Sequence, residues 1–195
     1  DIEGMFLQGP LTGVNKPSSL PTNTVTGIFS ETAVRGRWTD VHCRQFMTGF
    51  SMDSSFGSLM TQCSAAGSWI GLRLGSTTSL SPLDARANSG MTSLHNNWNN
   101  NEYGVVVSGG SGIVLDHNGT ESCTVGYYVN SLGSQTINGL TIRDPYFEDT
   151  ANPVQIGHTG LWPLSTTIKN IHIEGGFWDS VTGWTSIYHA SASDT

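Results

Sequence analysis

The chain has 195 residues, 12% of them charged and 36% apolar, with a formal net charge of −7. Eight Lys and Arg against fifteen Asp and Glu leave no basic face for nucleic acid. An acidic surface also disfavours a strongly anionic ligand unless a metal ion or local Arg offsets it, and no apolar run approaches the roughly 18 residues of a membrane span.

In chain order, residues 1–27 offer a leading strand at Met5-Phe6-Leu7, then a loop rich in Pro, Gly, Asn and Ser. From 28 to 190 short strands recur. One family spans 49–52, 71–74, 104–107, 126–129 and 153–156, each opening on Gly or, in the last, Pro, with Ser186-Ile187-Tyr188 as a shorter sixth member. A second family is Ile113-Val114-Leu115, Leu140-Thr141-Ile142 and Ile171-His172-Ile173, preceded by the less regular Leu59-Met60-Thr61 and Met91-Thr92-Ser93. A third follows a two-residue turn: Thr120-Glu121, Phe147-Glu148 and Trp178-Asp179. The first family steps by 22, 33, 22 and 27 residues, so one turn is fixed and another takes insertions.

No segment carries a helical period, and fixed-offset repetition of short strands is the mark of a stacked architecture. The expected columns are Leu72, Val105, Tyr127 and Val154; Leu74, Val107, Val129 and Ile156; and Leu115, Ile142 and Ile173. Trp69, Trp98 and the Asn-rich run 96–101 fall in expected turn segments, Asn being tolerant of the left-handed backbone region. Cys43, Cys63 and Cys123 are widely spaced without a CxxC pair, and read as buried free thiols, not a disulfide framework or a zinc site.

The run Gly-Ile-Val-Leu-Asp-His-Asn at 112–118, then Gly-Leu-Thr-Ile-Arg-Asp-Pro-Tyr-Phe-Glu-Asp at 139–149, resembles the pectate-lyase-like superfamily. Within it the pattern is similar to the β-helical domain of bacteriophage tailspikes and capsule depolymerases. The fold expected is all-β: a right-handed, single-stranded parallel β-helix, a solenoid of about seven rungs, with 1–195 as a single domain taken from a longer chain. The resemblance implies binding, and hydrolytic depolymerisation, of a bacterial surface polysaccharide, a homotrimer in the full-length protein, and a place on the virion (phage tail) or the extracellular surface. A non-catalytic carbohydrate-binding or spacer module and a polysaccharide lyase fragment stand as alternatives. No nucleic-acid or membrane partner and no cofactor or metal is expected.

Two residue sets fit that chemistry. Glu121, Glu148 and Asp179 share one repeat position, with Asp149 beside Glu148 and Asp144 across the turn. Neighbouring strands about 4.8 Å apart would bring carboxylates to the separations used in glycoside hydrolysis. The outward column of the first family reads Ser51, Arg73, Val106, Tyr128, Gln155 and Tyr188. Arg, Tyr and Gln there suit a sugar's hydroxyls and C–H faces. His158, directly after that strand, and Trp162, in the loop 159–165, complete the expected substrate-binding set.

Overall fold

The computed structural model describes residues 1–11, 16–17, 25–75, 88–130, 135–157 and 168–181, with the backbone of 186–187. Its strands are β1 (Ile2–Gln8), β2 (Thr26–Ser30), β3 (Arg37–Arg44), β4 (Thr48–Met52), β5 (Leu59–Thr61), β6 (Ser64–Ala66) and β7 (Ile70–Leu74). These are followed by β8 (Asn88–Ser89), β9 (Thr92–Leu94), β10 (Asn97–Asn99), β11 (Tyr103–Val107), β12 (Gly110–Asp116), β13 (Gly119–Glu121) and β14 (Val125–Val129). The last are β15 (Ile137–Arg143), β16 (Tyr146–Glu148), β17 (Asn152–Ile156), β18 (Ile168–Glu174), β19 (Phe177–Asp179) and β20 (Ser186–Ile187). Among the described residues there is no helix, and every strand pairing is parallel.

The strands form two sheets. The seven-stranded sheet runs β2-β4-β7-β11-β14-β17-β20, in strict chain order. The thirteen-stranded sheet has two wings that share β3: β5, β9, β12, β15 and β18 continue one end of that strand, and β6, β10, β13, β16 and β19 continue the other. What β3 does as one strand, each later repeat does as two, with a bend between them. The bend residues Asp40, Gln62, His95, His117, Asp144 and Gly175 all have positive φ, from 43° to 69°.

Spacing along the chain follows from this geometry. The step across the bend is five residues each time: Leu59 to Ser64, Thr92 to Asn97, Val114 to Gly119, Thr141 to Tyr146 and His172 to Phe177. The next corner is a step of six, as in Ser64 to Ile70, Asn97 to Tyr103, Gly119 to Val125 and Tyr146 to Asn152. Only the third corner varies. Val107 to Val114 is seven residues, Val129 to Thr141 twelve, Ile156 to His172 sixteen and Leu74 to Thr92 eighteen.

The core lies between the sheets, filled by the expected columns. Leu72, Val105, Tyr127 and Val154 pair in register, as do Leu74, Val107, Val129 and Ile156, and Leu115, Ile142 and Ile173. Side chains that alternate in and out along a strand put every second residue into this core. Trp98 departs from its expected turn placement. It lies in β10, fully buried, with its ring 5.7 Å from Phe50. The Asn-rich run is a strand flanked by corners, and a three-residue strand between two Asn corners is too short to show a period in the sequence.

Those corners are clamped. Asn101 accepts the Ser68 N–H at 2.9 Å and donates to the Ala65 carbonyl at 3.0 Å. Asn96 does the same to Cys63 and Met60, and Asn88 to Ser55 and Met52. One repeat thus carries an Asn at each of its three corners, and each satisfies a buried donor and acceptor of the preceding repeat. Asn118 repeats the clamp one step on, to Asn96 N–H and Ser93 O. The glycines that lead the first strand family have a different cause. A Cβ on Gly71 would stand 2.6 Å from Gly104 O, and one on Gly104 2.8 Å from Gly126 O. Successive backbones approach too closely there for any side chain.

Candidate functional site

The wings of the large sheet meet at the bend, and their outward residues form a grid on one exposed face. Asp116, Arg143 and Glu174 are neighbours in register on β12, β15 and β18. Across the bend, Gly119, Tyr146 and Phe177 align on β13, β16 and β19, and two residues further on Glu121, Glu148 and Asp179 align. The acidic column therefore exists as the repeat offsets required. Glu121 and Glu148 are half-buried, and Asp179 and Asp149 are exposed. Asp149 belongs to the following turn, at φ 48°, and its N–H is spent on Asp179 O.

Tyr146 ties the acidic column to the aromatics. Its hydroxyl donates to Glu148 Oε2. That bond, then partial desolvation and the nearby Glu148, Glu121 and Asp179 carboxylates, push the phenol up to about 12. The Tyr146 and Phe177 rings stack at 5.1 Å with only 10° between their planes. Both rings are open to solvent, 39% and 53% exposed. They border a groove of about 460 Å³ that also takes in His95, His117 and Asp144. Trp178, in the neighbouring position of β19, packs its ring 4.5 Å from Phe147 in register with it, but is itself 43% exposed.

Charge on the other wing is paired. Arg143 Nε donates to Glu174 Oε1 at 2.8 Å and Nη1 reaches Asp116 Oδ2 at 3.3 Å. His172 Nε2 lies 3.1 Å from Glu174 Oε2. The hydrogen bonds from Arg143 and His172 hold the Glu174 carboxyl below its ordinary range, and those to Glu174 and Asp116 hold Arg143 above its own. Exposed pairs of this kind orient side chains and add little stability.

The second expected set lies elsewhere. Ser51, Arg73, Val106, Tyr128 and Gln155 do stack in register on the seven-stranded sheet. The column differs from an open sugar-facing ladder, because Ser51, Arg73, Val106 and Tyr128 are buried and Gln155 is half-buried. Tyr128 and Val106 belong to a second apolar cluster with Ile70 and Val125, against Trp69 and Tyr103. Arg73 donates to Ser51 Oγ at 2.6 Å, and Ser51 Oγ lies 3.3 Å from Asp53. Burial lowers the guanidinium to about 10, against the opposing pull of Asp53. The sequence carries a signal for this: Val105-Val106-Val107 and Val125-Gly126-Tyr127-Tyr128-Val129 are apolar on both faces, as strands covered on both sides are. His158, Trp162 and Tyr188 lie outside the described residues.

Sequence reasoning places Asp144 across the turn from the acidic column but gives His95 and His117 no role, since His and Asp are common at positive φ. The repeat offsets are the signal that exposes them: His95, His117 and Asp144 are separated by 22 and 27 residues, one repeat each. No family model matches the chain, and neither curated proteins nor solved structures provide a match.

Proposed function

We propose that this chain is a right-handed parallel β-helix of about seven rungs, of the tailspike kind, and that it binds and hydrolyses a bacterial surface polysaccharide along the face of the large sheet. The observation that carries the reading is the in-register run Glu121, Glu148, Asp179 beside the stacked, exposed rings of Tyr146 and Phe177. Sugar C–H faces pack on aromatic rings of this type. Carboxylates on neighbouring strands about 4.8 Å apart are spaced for an acid and a nucleophile or base. Tyr146 orients Glu148 through one oxygen and leaves the other for the incoming group. Glu148 is the positioned base or nucleophile, Asp179 the acid, and Glu121 and Asp149 flank them. In this reading the full-length protein is a homotrimer on a phage tail.

The test is incubation with capsular and O-antigen polysaccharides, following reducing ends and the ultraviolet absorbance of unsaturated uronates. Reducing ends without new absorbance are expected. Glu148→Gln and Asp179→Asn should each lower the rate at least ~100-fold, the scale of a lost acid or base. Tyr146→Ala should weaken binding about tenfold, the worth of one aromatic contact. Cleavage that survives both carboxylate changes would sink the hydrolytic reading.

A further inference from the structure

A second constellation sits at the bend itself, and its chemistry is independent of any sugar. His117 Nδ1 lies 2.6 Å from Asp116 Oδ1. A carboxylate only accepts, so Nδ1 is the donor in this pair and Nε2 is the ring nitrogen left to ligate. Nε2 faces Asp144 Oδ2 at 3.8 Å, beyond hydrogen-bond distance. Ligand atoms of Asp116, His117 and Asp144 all lie within 4.8 Å of one another. We propose that His117 and Asp144 bind a divalent transition-metal ion of the zinc class, with Asp116 behind the imidazole as its orienting partner.

The surroundings fit a built site. An imidazole that ligates a metal through one nitrogen and donates its other N–H to a carboxylate is the usual orienting arrangement. Asp116 is fixed in that role, because Arg143 holds its second oxygen. Asp144 is free to turn toward His117 because the next bend residue is Gly175, where a Cβ would collide with Asp144 Oδ1. An ion about 2.0–2.2 Å from each ligand atom cannot lie on the 3.8 Å line between them. It must stand off to one side, with its remaining positions available to water or to a molecule in the groove lined by His95, Tyr146 and Phe177. Imidazole with carboxylate favours zinc or nickel over calcium, which prefers oxygen ligands throughout. A net charge of −7 favours any cation.

The experiment is calorimetric titration of chelator-treated protein with zinc chloride, with calcium chloride as comparison and cobalt chloride as a spectroscopic probe. One zinc ion per chain is expected, with calcium bound at least ~100-fold more weakly and a visible cobalt spectrum. His117→Ala and His117→Gln should lose at least ~100-fold in zinc affinity, Asp144→Asn at least about tenfold, and Asp116→Asn about 10- to 100-fold although it removes no ligand. Far-ultraviolet circular dichroism of each variant establishes that the fold is retained. The proposal is overturned by the absence of zinc saturation at millimolar concentration. It is equally overturned by zinc binding that survives both His117 changes, or by equal zinc and calcium affinities, which mark only exposed carboxylates.

Discussion

Cys123 shows what a single buried group contributes. Its thiol is fully enclosed, with Sγ 3.0 Å from the Trp98 carbonyl, and burial pushes it up to about 12. Cys43 is raised to about 12 by the same cause. Both start from an ordinary value of 9.0, so the unfolded chain releases these protons before the folded one does. Stability from the two thiols is complete below pH 9 and is lost as the pH rises toward 12. Urea midpoints measured at about pH 8 and about pH 10.5 should fall with pH, and replacing Cys43 and Cys123 by Ala should flatten that fall. Native protein should leave a disulfide-exchange reagent unreacted at about pH 8, whereas all three cysteines should react once guanidinium is added. Rapid labelling of the native state would show that the thiols are not sealed. Arg73 is the same lesson with a charge: its guanidinium is stabilised by Ser51 and Asp53, not by solvent.

At the scale of elements, the corners decide. Asn101→Ala removes two hydrogen bonds, to Ser68 and Ala65, and takes from the buried Ser68 N–H its Asn101 acceptor. The cost should be about 2–4 kcal/mol, read from denaturant unfolding. Gly104→Ala drives a Cβ against Gly126 O and Thr120 Cγ2, and should cost about 1–3 kcal/mol. Asn97→Ala, on the exposed side of β10, should stay within about 0.5 kcal/mol. Equal effects at Asn97 and Asn101 would refute the clamp. These contrasts also explain what was legible. The Leu, Ile and Val columns were readable because a strand's period of two converts directly into an inward face, and the repeat offset converts directly into register. The acidic column followed from the same offset. The burial of Arg73 and Tyr128 was not readable by that route, because alternation assigns a face without saying whether that face meets water. The bend site was hidden for another reason: Asp144 was legible only as a neighbour of the acidic column, and a backbone preference accounts for His117, so nothing in the local sequence joined the two.

For the whole molecule, the pairing pattern sets the folding problem. Paired strands lie some 22 to 36 residues apart, as Tyr103 does from Val125 and Ile2 from Trp38. No local hairpin or helix among the described residues can form first and hold its own surface. Non-local parallel pairing folds slowly, in milliseconds to seconds or longer. Refolding from urea, followed by Trp fluorescence, should therefore have its main phase slower than about 100 ms. A main phase in microseconds would be incompatible with this topology. Because a repeat buries its inward residues only against its neighbours, stability should accumulate along the stack and not reside in one nucleus.

The variable corner carries a consequence for how such a chain changes over time. Two corners of each described repeat are counted out in five and six residues, while the third runs from seven to eighteen. A copying error that duplicates a 22-residue unit such as 103–124 leaves every column in phase, so lengthening the molecule requires no coordinated second event. Insertions at the third corner are equally silent to the core. The protein thus keeps its heritable constraint and its room for novelty on different edges of the same stack. A lineage can rewrite what the molecule meets while leaving untouched what makes it fold.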